Sequence, residues 1–363
     1  MSCWKLGGFE SVNFRPSQMQ KISREPLADA VRMVKKNGCC GKACEGCAGT
    51  LYCPAISGLF QKWGDDMKKL LGAALAAATM LATPVAAQAP IAGTTDADPA
   101  IWVVKDSDTT IYLFGTVHIL KPGMSWFDEA VKTAFDTSDE LVLEMIEPDQ
   151  AAMQTLMTTK GIDPDGPPLS QKLAEPARAK YIKAMGDLGV PYQAFEAMKP
   201  WMAAITLAVM PLGKYGYDLN SGAEKILTRA ATQAGKKLGQ LESAEQQLGF
   251  FDSLPEEQQI AFLNATVDEI PTLGESMEKM DRAWAKGDPA GLAMLMNESM
   301  QETPELTKIL LADRNARWAD WIDKRMDQPG TVFIAVGAGH LAGKGSVQDQ
   351  LKAYRIRAKR IKY

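Results

Sequence analysis

The sequence predicts an α/β (α+β) fold: a central mixed β-sheet with a large helical insertion and a histidine just beyond the ends of two strands. Three observations lead there. Short β-branched and aromatic runs cluster between residues 101 and 145 and return at 331–336. A long stretch with helical apolar spacing separates them. The 363-residue chain has only 2 histidines, and each follows a strand-like run in the frame Gly-x-x-His: Gly115 to His118 in "LFGTVHIL" and Gly337 to His340 in "VGAGHLAGKGS".

Each element has its own local cause. "IWVV" and "TIYLF" flank the turn-like "KDSDT" and read as a hairpin. "WFDEAVKTAFDTSD" has helical spacing through Phe127, Val131 and Phe135, and "ELVLEM" is an apolar strand. Helical patterning then runs from Ser170 to Glu269 with interruptions. Inside it, "MKPWMAAITLAVMPLG" is bounded by Pro200 and Pro211. Its apolar run is well short of the roughly 20 residues a membrane span needs, so it reads as a buried or cleft-lining helix. "NSGAEKILTRAATQAG" opens with a capping box from Ser221 to Glu224 and stops at Gly235. "KKLGQLES" is a short strand. The chain is helical again after Pro255, most clearly in "TPELTKILLADRNARWADWIDKRM", where Pro304 lies in the first turn. "TVFIAVGAGH" is a strand running into the second histidine motif, and "YRIRAKRIKY" closes as an edge strand. No repeat with a period of roughly 20–50 residues is present.

Charge and cysteine usage divide the chain. Residues 1–87 hold 11 Lys and Arg against 6 Asp and Glu, leaving 29 against 38 for the remainder, a net −9. So acidic a body is a poor partner for a phosphate backbone, and no basic, aromatic-studded stripe offsets this, so nucleic acid is excluded as a partner. All 6 cysteines precede residue 67. Cys40, Cys44, Cys47 and Cys53 have a spacing suited to zinc or an iron–sulfur centre. "MKKLLGAALAAATMLATPVAAQA" begins at Met67 with Lys68 and Lys69, continues apolar, and ends in small residues, the build of a secretory signal. Cleavage is expected after Ala87, because cleavage after Ala89 would put Pro90 directly downstream. Three regions follow: a Cys-rich extension at 1–66, which is an over-extended start or a small metal module; a signal at 67–87; and the working domain at 88–363. The expected location is periplasmic or secreted, with membrane contact only through the export signal.

The strand ends carry the chemistry. "TIYLF" leads to Gly115 and His118, "ELVL" to Glu144, "KKLGQL" to Glu242, and "TVFIAV" to Gly337 and His340. In an open α/β sheet, ligands bind beyond the carboxyl ends of parallel strands. If these four strands are parallel neighbours, two imidazoles and two carboxylates meet in one crevice. A glycine at each motif start lets the backbone turn and approach a ligand closely. Two histidines and a carboxylate with an open position would suit a catalytic divalent ion, which would activate water. Alternatively, Glu144 and Glu242 cap helices or pair with Arg314 or Arg317. No nucleophile elbow, phosphate loop or dinucleotide fingerprint is present, and the body has no thiol.

Taken in order, "LFGTVHIL", "ELVLEM", "MKPWMAA", "YGYDLN", "QLESAEQQLGFFD", "RAWAKGD", "RNARWADWI" and "VGAGHLAGKGSV" resemble the TraB/GumN family over residues 99–363. That family is related to the Tiki metalloproteases and more distantly to erythromycin esterase and ChaN-like folds. The resemblance to the Tiki branch implies a metal-dependent peptidase acting on peptide or polypeptide substrates. It places His118, His340, Glu144 and Asp218 around a divalent metal (manganese, cobalt or zinc), with Glu144, Glu242, Arg314 and Asn315 as catalytic residues. Two other readings stay open. One is a metal-free hydrolase with a histidine base. The other is a non-catalytic protein, pheromone-binding or polysaccharide-associated, that captures a peptide with "MKPWMAAITLAVM" as an adaptable Met-rich wall.

Overall fold

In the computed structural model, residues 95–300 and 304–363 are described. The cysteine cluster Cys40, Cys44, Cys47 and Cys53 and the export segment 67–87 lie outside these residues.

Near-continuous apolar runs become strands buried on both faces. The main sheet has the order β6-β5-β7-β3-β2-β8. Its strands are β2 (Ile101–Lys105), β3 (Thr109–Thr116), β5 (Glu140–Leu143), β6 (Lys237–Gln240), β7 (Gly330–Gly337) and β8 (Lys359–Ile361); β1 (Thr95–Asp96) and β4 (Met124–Ser125) form a small separate pair. β2 and β3 are the expected hairpin, and β8 joins β2 antiparallel at the edge. The other four, β6, β5, β7 and β3, are parallel neighbours. The register places Gly115 opposite Val336 and Thr116 opposite Gly337. Both histidine motifs therefore leave the sheet side by side.

The period-2 alternation of strands sorts the side chains. Phe114, Leu141, Leu143, Phe333 and Ala335 face one side, where they pack with α1 (Glu129–Asp136), α6 (Ala223–Gln233) and Trp284 of α9 (Leu273–Ala285). Ile111, Leu113, Val142, Val332, Ile334 and Val336 face the other, against α12 (Asp313–Met326) and α13 (Val347–Leu351). Between β5 and β6 lie α2 (Gln150–Gly161), α3 (Leu169–Lys172), α4 (Ala177–Asp187) and α5 (Pro200–Val209). After β6 come α7 (Ala244–Asp252), α8 (Glu256–Glu269), α9, α10 (Pro289–Met300) and α11 (Pro304–Thr307). The insertion has its own core, in which Tyr181, Ala203, Ala204, Leu207 and Leu263 are buried together.

Three local expectations are corrected. Ser221 and Glu224 form no capping box: Gly222 is the N-cap of α6 without a side-chain hydrogen bond, because Glu224 is committed elsewhere. The helix expected through 304–326 is interrupted by a π-turn at Lys308–Ala312. The closing strand pairs only over Lys359–Ile361, because Lys352–Tyr354 is a 3₁₀ turn that ends with Arg355 left-handed at φ 62.

Phe333 is fully buried and packs against Phe114 and Phe135, with ring centroids at 5.7 and 5.8 Å. Phe333→Ala should therefore cost about 3–5 kcal/mol. On the outermost strand, Leu238 is 37% exposed, and Leu238→Ala should stay within about 1 kcal/mol. Urea unfolding midpoints check both, and comparable losses would contradict the sheet order.

Candidate functional site

The four parallel strand ends deliver their residues to one place. His118 and His340 follow β3 and β7, Glu144 follows β5, and Glu242 lies just past β6, where its N–H donates to the Glu144 carbonyl at 2.8 Å. Glu144, Glu242, His340, Arg314 and Asn315 are all buried. Arg314 and Asn315 come from the first turn of α12, directly after the π-turn; such turns often occur at functional sites.

Arg314 is the hub. Its Nη2 donates to Glu144 Oε2 and to Glu242 Oε2, both at 2.7 Å, and its Nε donates to Glu242 at 2.9 Å. Its Nη1 donates to the Leu310 carbonyl at 3.1 Å, inside the π-turn, and lies 3.1 Å from His340 Nε2. Gln247 of α7 bridges the two carboxylates from the side, at 3.1 Å to Glu144 and 3.3 Å to Glu242. Trp318 donates to Glu242 at 3.2 Å and packs its ring on His340 with centroids 4.3 Å apart.

The hydrogen bonds orient both imidazoles. Asn315 Nδ2 donates to the Gly345 carbonyl, so its Oδ1 faces His340 Nδ1 at 2.6 Å and accepts from it. His340 Nε2 is thus the lone-pair nitrogen. His118 Nδ1 pairs with Glu224 Oε1 at 2.7 Å, which leaves Nε2 directed toward Gly337. A Cβ built on Gly337 would lie 3.1 Å from Glu144 Oε1, 3.7 Å from His340 Cδ2 and 3.9 Å from His118 Nε2. The missing side chain of Gly337 is therefore the clearing that both histidines and Glu144 surround. Its own N–H donates to Glu144 Oε1 at 2.6 Å. Gly115 has a packing role: a Cβ there would meet Ala338 Cα at 3.0 Å, and its carbonyl accepts from Trp284 Nε1 at 2.7 Å.

The electrostatics differ between the two histidines. His118 is two-thirds open to solvent at 68%, but the Glu224 carboxylate outweighs desolvation and raises its pKa to about 9. His340 is held down to about 3 by burial, with Arg314 and His118 adding to the effect, so it is neutral at neutral pH. For Glu144, burial opposes ionisation. The charges of His340, Arg314 and His118 and the Gly337 N–H overcome it and hold the pKa at about 2. His340 is itself cationic at so low a pH.

The structure thus brings together His118, His340, Glu144, Glu242, Arg314 and Asn315. Asp218 is placed differently: its Oδ1 caps the turn at Leu219–Ser221 by accepting from the Asn220 N–H at 2.9 Å. The carboxylate beside His118 is Glu224, which sequence reasoning assigned to a helix cap. Gln247 and Trp318 were also missed. The Met-rich wall is displaced as well: α5 is buried in the helical core, and a cavity of about 280 Å³ over the histidines is lined instead by Met277, Met280, Leu292, Met296 and Leu311. Among the described residues, no three His, Cys, Asp or Glu side chains stand close enough to enclose an ion as placed. The residue types nonetheless suit one: two imidazoles, each with a partner on Nδ1, and one carboxylate oxygen around a clearing, with His118 having to give up its Nε2 proton to bind. The obstacle is Arg314 Nη1, already hydrogen-bonded to His340 Nε2.

Fold and site together define an α/β protein with a histidine–carboxylate–arginine cluster at the carboxyl end of a parallel sheet. The chain matches the TraB/PrgY/gumN family over residues 100–360 and belongs to it. It is 24% identical over 254 residues to YbaP of Escherichia coli (strain K12), covering 70% of this chain and 92% of that protein. It is 21% identical over 275 residues to a protein of Treponema pallidum (strain Nichols), covering 70% and 80%. No solved structure matches it.

Two outcomes follow. Arg314→Ala strands Glu144 and Glu242 as buried charges and should cost about 3–5 kcal/mol in urea titrations; a loss below about 1 kcal/mol would mean the pair is solvated. Stability should also peak near pH 6.5. The unfolded chain protonates His340 from about 6.5 while the folded chain waits until about 3, so stability falls as pH drops through that window. The contribution of Glu144 is present above 4.5 and is lost as pH falls toward about 2. His118 has the opposite sign: its contribution is full below 6.5 and is lost as pH rises through about 9. Melting temperatures from acid to alkaline pH should show a shallower acid limb in His340→Gln, and an unchanged limb would refute the neutral buried imidazole.

Proposed function

We propose that this TraB/PrgY/gumN family member is a hydrolase acting on peptides, with His118, His340 and Glu144 holding a divalent metal ion. The observation that carries the proposal is the matched orientation of the rings: each histidine sets its Nδ1 against an oxygen, of Glu224 or of Asn315, and turns its other edge to the side of Gly337. Metal-binding histidines are held in this way, through an oriented outer partner.

Each residue then has a task. His118, His340 and Glu144 would hold the ion. Arg314 must withdraw Nη1 from His340 while Nε and Nη2 stay on Glu242; it then remains a fixed positive charge beside the reacting carbonyl. Gln247 keeps Glu144 and Glu242 in register. A divalent ion held there supplies Lewis-acid activation of water and carbonyl. Manganese, cobalt and zinc all suit nitrogen–oxygen donors. A metal-free histidine base is less well served near neutral pH, because His118 already carries its proton and the His340 lone pair is engaged by Arg314 and weakly basic. The methionines above the cluster give an adaptable wall for apolar side chains. The Met67–Ala87 pattern supports action outside the cytoplasm, periplasmic or secreted.

Metal content of the purified chain tests the proposal, with the double variant His118→Ala/His340→Ala alongside. About one additional ion per chain in the unmutated protein, together with peptide cleavage that the double variant loses, is the expected result. Equal metal content in the two proteins after loading with manganese, cobalt or zinc would rule the centre out.

A further inference from the structure

The cavity over the histidines has one ionisable group that the cluster does not use. Asp281, on α9, lines it with His118, Glu144, Met277, Met280 and His340. It is only 7% exposed, and its Oδ1 has no hydrogen-bond partner. The nearby cations are engaged elsewhere: Lys121 pairs with Glu278 at 2.9 Å and Arg282 with the same carboxylate at 3.7 Å. Burial raises the pKa of Asp281, with the Tyr217 hydroxyl and Lys121 offsetting part of that cost.

A buried acceptor without a donor is costly, and such groups call for an explanation. The other ionisable groups of the cavity are the two histidines, Glu144 and Arg314. On the cavity side Asp281 is flanked by apolar lining from Met277, Met280, Leu292 and Met296. The ligand best matched to a lone carboxylate in an apolar wall brings a positive charge with N–H donors on an apolar frame. Bonds between ionised partners are about twice as strong as neutral ones, which favours an ammonium over a hydroxyl or an amide. At about 280 Å³ the cavity is at the lower end for ligand pockets, roughly 300 Å³ upward, so it suits a single residue rather than a long peptide.

We propose that Asp281 recognises a free amino group, so that the cavity takes an amine-bearing apolar residue, such as the N-terminal residue of a peptide, beside the histidine pair. This rests on reading the cavity as the substrate site, and it concerns binding rather than bond cleavage. Asp281 is on this account a specificity residue, and Tyr217 is its support.

Calorimetric titration of the full chain with leucyl-leucinamide and with 4-methylpentanoyl-leucinamide, the same skeleton without the amine, tests it. The amine should bind at least about tenfold more tightly, a difference of about 1.4 kcal/mol. Asp281→Asn should erase that preference while leaving the affinity for the des-amino compound in place. Equal affinities in the unmutated chain, no binding of either compound at millimolar concentration, or a preference that survives in Asp281→Asn would each overturn the proposal. The first two outcomes need no variant, so a failure of Asp281→Asn to fold does not block the test. An amine preference in a chain that cleaves nothing would support Asp281 and count only against the hydrolase reading.

Discussion

The guanidinium of Arg314 between Glu144 and Glu242 is the contact on which the rest depends. It ties the ends of β5 and β6, the start of α12 and the turn after β7 to one buried cation. Taking such ions out of water costs several kcal/mol each, and only a full set of hydrogen bonds makes the arrangement tolerable. Here the set is nearly complete: Gln247, Trp318, Gly337 and the Leu310 carbonyl use the positions that the guanidinium and carboxylates leave open. Replacing buried ion clusters with well-packed apolar side chains is often neutral or stabilising, so stability alone does not account for this one.

The same cation explains the contrast between the histidines. Their motifs look alike in sequence, yet one ring sits against Arg314 and Trp318 in the interior, while the other sits near the cavity mouth against Glu224. Burial beside a cation removes the proton from His340; a carboxylate neighbour keeps it on His118. The glycines differ in the same way. Gly115 makes room for the backbone at Ala338, whereas Gly337 makes room for the cluster itself.

What could be read from the sequence was what depends on pattern. The β2–β3 hairpin, the parallel arrangement of β3, β5, β6 and β7 and the buried character of α5 all follow from runs of apolar residues and their punctuation. The convergence of His118, His340, Glu144 and Glu242 followed from placing each at a strand end, and Arg314 and Asn315 came from a family resemblance. What could not be read depends on partners distant in the chain. An acidic residue near a helix start satisfies capping rules equally well whether it caps or turns to a histidine, so Glu224 was assigned to the wrong partner. The box is absent because Gly222, not Ser221, is the N-cap and the Glu224 carboxylate turns to His118. Met277, Met280 and Met296 have no distinguishing local spacing, whereas the methionines around α5 lie in a conspicuous apolar run, so the wall was placed on the wrong helix. Asp281 reads as an ordinary polar position of an amphipathic helix, and only the fold turns it inward.

The pairing of β3 with β7 has a consequence for the life of the chain. Gly337 donates to a carboxylate 193 residues earlier, and Arg314 to the same carboxylate from 170 residues away. Contacts so distant form late, because the loop must be closed before anything is gained from closing it. A growing polypeptide therefore carries His118, Glu144, Glu242 and Arg314 without Gly337 and His340 until β7 has been made and has inserted between β3 and β5. Until then the cluster lacks His340 and the Gly337 N–H, and any truncation before that strand leaves it without them. Assembly of the site is thereby tied to synthesis of β7 and the turn that follows it.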